Sequence, residues 1–438
     1  MDPNDPLSQD QDIIDSLVRK LDTCDGLDNF FQYTYMYGGR WILIVDNGQE
    51  IRLFNDPAGF RQLFYTDLSF SSNLWCASQP GMIAQLMNLT MDKKALGFIT
   101  NYESKGLREY WWPGDTSPFK GIKHLLPNHY LDLEKGSYHR FWPHEDLKYL
   151  SLEEGIERTS AGLKGLMKSA FNRFKLSLTI TAGWDSRLLL AASREVSHKI
   201  YYFSMLRGSN DRDVIIPSRL LPKLGLKYNI MRYPARMDNE FKKIYNKNVV
   251  TAHALWGRMA QGLFDCYPQD RVCVKGNACE IARGRQVFTL PEPENGNVTS
   301  QKLAWLMKME DSPFVIKAFN KWLSEVPRTY NIKLLDLFYW EQRMGNWQAM
   351  SQLEWDIVQE VLAPFNCRAL LIDMLSVDQE YRDPPGYQLY HKVILNLWPE
   401  VLEEPINPRI SPQKKSTKLT VRLPRILKRI RNRLSQKN

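Results

Sequence analysis

No stretch of the 438 residues approaches eighteen consecutive apolar side chains, which excludes a membrane-spanning helix of ordinary length. A CxxC pair is missing too. The six cysteines (Cys24, Cys76, Cys266, Cys273, Cys279, Cys367) are scattered, so they read as reduced thiols rather than a disulfide frame or a zinc site. The opening MDPNDPLSQDQD is acidic and lacks the apolar core of a signal peptide, so a cytoplasmic protein is expected. Acidic residues disappear from Arg409 onward. That tail holds eleven of the 58 Lys and Arg, leaving 47 basic against 49 acidic residues before it, so the net charge of +9 belongs to the tail. Nucleic acid is therefore not an expected partner of the near-neutral body. A hydrophobic content of 43% marks an ordinary globular chain, long enough for two cores.

The most informative stretch runs from Leu176 to Ala192, LSLTITAGWDSRLLLAA. Leu176, Leu178 and Ile180 alternate with polar residues as a short strand does. Thr181-Ala182-Gly183 is a small-residue turn, and Arg187 to Ala192 are strong helix formers. A strand that stops at such a turn and feeds a helix presents backbone N–H groups and a positive dipole end to an anion. Asp185 beside that anion calls for a cation as well, and phosphate with Mg²⁺ satisfies both. No Gly-Lys-Ser/Thr follows, so the turn is not a P-loop.

Thr181-Ala182-Gly183-Trp184-Asp185-Ser186 resembles the Ser-Gly-Gly-x-Asp-Ser pyrophosphate loop of the N-type ATP pyrophosphatases, with Thr and Ala replacing Ser and Gly. Upstream, NDPAGFRQLFY, LWCASQPGMIAQLM and SPFKGIKHLLPNHYLDLEKGSYHRFW resemble three successive segments of the glutaminase domain of asparagine synthetases. Phe119, Gly121, Ile122, Leu126, Pro127 and His129 stand in matching places. The resemblance runs from about residue 40 to 400. It implies an α/β chain: a β-rich Ntn-hydrolase-like N-terminal domain, then a parallel-sheet α/β ATP-pyrophosphatase (adenine nucleotide α-hydrolase-like) domain. The expected segments are a polar 1–25, thought poorly ordered but for a short helix near 13–21; a degenerate glutaminase-like domain, 26–150; the ATP-pyrophosphatase domain, 151–405; and a basic tail, 406–438. The family's glutaminase needs an exposed N-terminal cysteine. This chain opens Met1-Asp2 with its first cysteine at Cys24, so the domain is expected to be a structural remnant.

In the second half, Ser151 and Glu154 form a capping-box signature ahead of an amphipathic helix over 151–175. Strands are expected at 199–205, 227–231 and 271–275, alternating with helices, which predicts a parallel sheet with its ligand at the carboxyl ends of the strands. The resemblance implies pyrophosphate binding by Thr181, Ala182, Gly183, Asp185, Ser186 and Gly276, and adenine binding near Ser204, Met205 and Leu206. It also implies Mg²⁺ on Asp185 and Glu280, the latter replacing an Asp. Arg283 and Arg285 either neutralise phosphate or are solvated helix charges. Tyr339, Trp340, Met344, Trp347 and Met350, at helical spacing, read as core. Glu360–Cys367 resembles the family's Glu-x-Arg-x-Pro-Phe-Leu-Asp, but Leu362 has lost the Arg and Cys367 the Asp, which argues against aspartate as substrate. Lys392 resembles the family lysine that faces the reacting carbonyl. Within the tail, Ile426, Leu427, Ile430 and Leu434 share one face of a basic amphipathic helix. It reads either as a ligand for an anionic membrane surface or an acidic protein, or as a segment that docks on the body or stays disordered.

Together these imply an ATP- and Mg²⁺-dependent amide-forming ligase, without glutaminase activity, that adenylates a carboxylate substrate and passes it to ammonia or an amine. The alternative is a catalytically inactive scaffold acting through its tail. Ala182 speaks for that alternative if its position requires a positive φ.

Overall fold

Apolar runs on either side of the Asp46–Gly48 turn pair with each other. In the computed structural model, which describes residues 1–208, 211–283, 298–309, 312–326 and 328–409, β1 (Ile42–Asp46) runs antiparallel to β2 (Ile51–Asn55), with Ile44 opposite Leu53. A second antiparallel hairpin, β6 (His129–Asp132) with β7 (Ser137–Arg140), adds to β2 and gives the order β1-β2-β6-β7. Between them in sequence, β3 (Phe64–Thr66), β4 (Cys76–Ala77) and β5 (Ile122–His124) form a three-stranded sheet in the order β4-β3-β5.

The later strands pair in parallel: β8 (Leu176–Thr179), β9 (Tyr201–Leu206), β10 (Tyr228–Arg232), β11 (Val272–Val274) and β12 (Val361–Leu362). Their order, β10-β9-β8-β11-β12, is the doubly wound arrangement in which the direction of winding reverses between β8 and β11. The crevice at the carboxyl ends of those two strands is the natural ligand position. The helix Leu152–Arg173 leads into β8 with Ser151 as its N-cap, and Ser151 and Glu154 close the capping box. It buries Leu163, Leu166, Met167 and Ala170 among the helices Arg368–Ser376 and Gln388–Leu397.

The polar start of the chain is ordered, contrary to expectation. Its helix spans Asp10–Leu21 and sets Leu17 against Leu27, Phe30, Phe31 and Phe54. Met1 is buried and pairs with Gly38 through both backbone groups at 2.9 Å. Gly165 lets Pro3 lie against the helix Leu152–Arg173: a Cβ there would stand 2.1 Å from the Pro3 carbonyl oxygen.

The antiparallel sheets and the parallel sheet join through buried polar side chains. Asn366 Nδ2 donates to the carbonyl of Gly39 and to Asp56 Oδ1, both at 2.7 Å, while its Oδ1 accepts from Ala58 N–H at 2.8 Å. Glu341, fully buried, accepts from Arg140, from Asn128 at 2.9 Å and from Trp322 at 2.8 Å. Arg368 donates to Asn128 Oδ1 at 2.6 Å from within a cage of Tyr35, Phe141, Trp142 and Trp340. Residues 1–407 form one compact unit through such contacts. No helix among the described residues is long and apolar enough to cross a membrane. The expected basic helix at 424–434 and Arg285 lie outside the described residues.

Candidate functional site

Ile180, fully buried, follows β8, and the chain turns through Thr181–Gly183 into the helix Trp184–Ala192. Its first turn carries Asp185 and Ser186, and Gly183 is an N-cap without a side-chain hydrogen bond. The turn is braced from within. Thr181 N–H donates to Ser186 Oγ (3.0 Å), the two hydroxyls lie 2.9 Å apart, and Gly183 N–H donates to Thr181 Oγ1 (3.2 Å). Asp213, in the first turn of the helix Arg212–Lys223, accepts from Ala182 N–H at 3.2 Å. Behind the turn, buried Arg187 holds the carbonyls of Val401, Glu404 and Pro405.

The concern over Ala182 is removed by the geometry: it is not among the residues with positive φ, and Gly183 has φ −83°. A strained alanine sits instead at Ala278, fully buried with φ +75°. A left-handed alanine costs on the order of 1 kcal/mol and persists where its surroundings over-determine it.

Ala278 belongs to the turn after β11, which brings Glu280 to Asp185. Gly276 makes the approach feasible, because a Cβ there would stand 2.5 Å from Asp185 Cβ. Arg283 Nη2 lies 2.9 Å from Asp185 Oδ2 and 4.0 Å from Glu280 Oε1. The other oxygens, Asp185 Oδ1 and Glu280 Oε2, are buried and make no hydrogen bond. Burial first, and the Asp185 charge second, push the Glu280 carboxyl up to about 7, against the pull of Arg283. Burial disfavours the Arg283 charge, but the neighbouring acids outweigh it and hold the guanidinium above its ordinary value.

Two convergent carboxylates with unsatisfied oxygens fit a hard divalent cation such as Mg²⁺. Among the described residues no group of three or more ligating side chains occurs, so phosphate or water oxygens would complete the coordination. Of the two expected arginines, Arg283 is here an ion-pair partner rather than a solvated charge.

Beside this pair, at the same strand ends, opens a cavity of about 450 Å³. Thr179 and Thr181 from β8 and its turn, Ser204 and Met205 from β9, and Lys275 and Asn277 after β11 form one side. Trp256, Trp347 and Trp355 form much of the other. The expected adenine residues Ser204 and Met205 thus face the cavity, and Leu206 does not. Of the loop, Thr181 reaches it; Ala182, Gly183, Asp185, Ser186, Gly276 and Glu280 lie next to it rather than in its wall.

Lys392 is not brought to either place. The helix Gln388–Leu397 turns Leu389, Tyr390, Val393 and Ile394 inward, leaving Lys392 on the outer face, 45% exposed and 4.0 Å from Glu153. Leu362 and Cys367 belong to the junction with the antiparallel sheets: Cys367 Sγ lies 3.3 Å from the Met36 carbonyl oxygen. Trp347, read as core, lies in π-helical turns (Tyr339–Gln348) and faces the cavity, with the Arg343 guanidinium 3.6 Å from its ring centroid.

The residues missed from the sequence are Lys275, Asp213, Arg343 and the tryptophans. A lysine closing a buried Val-Cys-Val strand one residue before a glycine was the available signal for the first. Compared with known proteins, the sequence matches no protein-family model and no curated protein.

Proposed function

We propose that the crevice binds ATP with Mg²⁺ and that the chain is an amide-forming ligase of the asparagine-synthetase type. The observation that carries this reading is the pair of buried, unpartnered carboxylate oxygens, Asp185 Oδ1 and Glu280 Oε2. They stand at the winding reversal of a parallel sheet, beside a helix N-terminus and a nucleoside-sized cavity. Asp185 and Glu280 would hold the metal, which would neutralise phosphate charge. The first turn of the helix Trp184–Ala192 would face the pyrophosphate with its free N–H groups, and Arg283 would hold Asp185 in place. The aromatic walls would exclude water from the bound nucleoside. A substrate carboxylate would attack the α-phosphorus, expelling pyrophosphate, and ammonia or an amine would then displace AMP from the acyl-adenylate.

The scaffold reading has one observation in its favour. Asp213 occupies the Ala182 N–H, and Thr181 the Gly183 N–H, so two donors of the turn are already in use. ATP–pyrophosphate isotope exchange with Mg²⁺, across a pool of amino acids, other carboxylic acids and short peptides, separates the two readings. Exchange with one acid, lost in Asp185→Asn, supports the ligase. Silence together with no ATP binding overturns it.

A further inference from the structure

We infer that Lys275, rather than Lys392, is the lysine that grips the phosphate joining the nucleoside to its leaving or acyl group. This rests on the nucleotide reading above and goes beyond it by assigning a group that the sequence resemblance does not supply.

Three placements carry the inference. First, Lys275 and Asn277 both face the 450 Å³ cavity, while Gly276 between them packs on Asp185. A ligand with its base among the tryptophans and its phosphates at the Asp185 turn must pass this point. Second, the ammonium has no acid of its own. Among the described residues Lys275 forms no ion pair and lies 4.2 Å from the Trp355 ring centroid. The acid that follows Trp355, Asp356, is committed to Arg40 through two bonds of 2.7 Å. A lysine stacked on indole with no carboxylate keeps its donors free for an anion. Third, Asn277 Oδ1 and Trp347 Nε1 are buried without partners on the same cavity, so its wall offers unsatisfied polar groups as well as charge.

Burial lowers the Lys275 amine to about 8, with Arg40 adding to the fall and Cys273 and Asp356 opposing it. A phosphate nearby would restore the charge. Lys392, half-exposed beside Glu153 on the outer face of its helix, has none of these features.

The test is quenching of tryptophan fluorescence, which Trp347 and Trp355 report, during titration with adenosine, AMP and ATP·Mg²⁺. Lys275→Met keeps an unbranched side chain of similar length and removes the charge over Trp355, and Lys275→Arg restores it. Expected is at least a tenfold loss of AMP and ATP affinity in Lys275→Met, adenosine affinity within twofold of wild type, partial recovery in Lys275→Arg, and no change in Lys392→Met. AMP affinity unchanged in Lys275→Met, or a phosphate-dependent loss in Lys392→Met instead, would overturn the assignment while leaving nucleotide binding intact. A wild-type protein that binds none of the three would overturn the nucleotide reading and this assignment with it.

Discussion

Replacing Glu280 with Gln should make the ligand-free protein more stable at alkaline pH. Glu280 sits beside Asp185 in a largely buried crevice, and its carboxyl is raised from an ordinary 4.5 to about 7. A group whose folded value exceeds its unfolded one favours the fold's protonated form. In acid, where both states are protonated, it has no effect. As pH rises through 4.5 the unfolded chain ionises while the folded one does not, so stability falls until about pH 7 and then levels. The full loss is on the order of 3 kcal/mol.

Glutamine retains the size and removes the proton equilibrium, and Arg283 keeps Asp185 as its partner at 2.9 Å. Urea unfolding of wild type and Glu280→Gln, without nucleotide, should therefore show a variant more stable by about 3 kcal/mol at pH 8, with the difference fading toward zero below pH 4.5. Added ATP·Mg²⁺ should reverse the order, because only wild type retains both carboxylates. A variant no more stable than wild type at pH 8 would refute the reasoning, since Glu280 would then be ionised without cost. Stability given up where a ligand is to bind is a familiar trade in functional sites.

Further outcomes follow from the same geometry. Asn366→Ala removes three hydrogen bonds at a fully buried junction and strands Ala58 N–H and the Gly39 carbonyl, while Asp56 keeps the Phe60 and Arg61 N–H donors. A loss of about 3 kcal/mol or more is expected in urea unfolding. Gly276→Ala places a methyl 2.5 Å from Asp185 Cβ, so calorimetry should show at least tenfold weaker ATP·Mg²⁺ binding with little change in the far-ultraviolet dichroism. Arg187→Leu leaves the carbonyls of Val401, Glu404 and Pro405 without their buried donor. Limited proteolysis should then cut near residue 401 faster than in wild type.

The parts legible in the sequence were those set by local rules. Alternation and a small-residue turn located β8, its loop and Asp185, and the Ser151–Glu154 pairing fixed the start of the helix before them. Glu280 was singled out by the resemblance, in the turn that follows the strand expected at 271–275. Lys275 was passed over as the last residue of that strand, since nothing local says which side of a strand end opens on a cavity. Tyr339, Trp340, Met344 and Met350 lie in the core as their spacing predicts, and Trp347 packs against that core while also lining the cavity, which spacing alone does not record. The junction clamps Asn366, Glu341 and Arg368 have partners up to 327 residues away, and no local pattern records them. Lys392 followed motif order, but the amphipathic pattern of its own helix, with Tyr390 and Ile394 inward, already placed it outside.

The most direct test of the central claim is calorimetric titration of ATP with Mg²⁺ into wild type and Asp185→Asn, each checked by circular dichroism. The account predicts binding by wild type that depends on Mg²⁺ and weakens at least tenfold in the folded variant. Equal binding by both, or binding indifferent to Mg²⁺, would contradict a metal–nucleotide site built on Asp185 and Glu280.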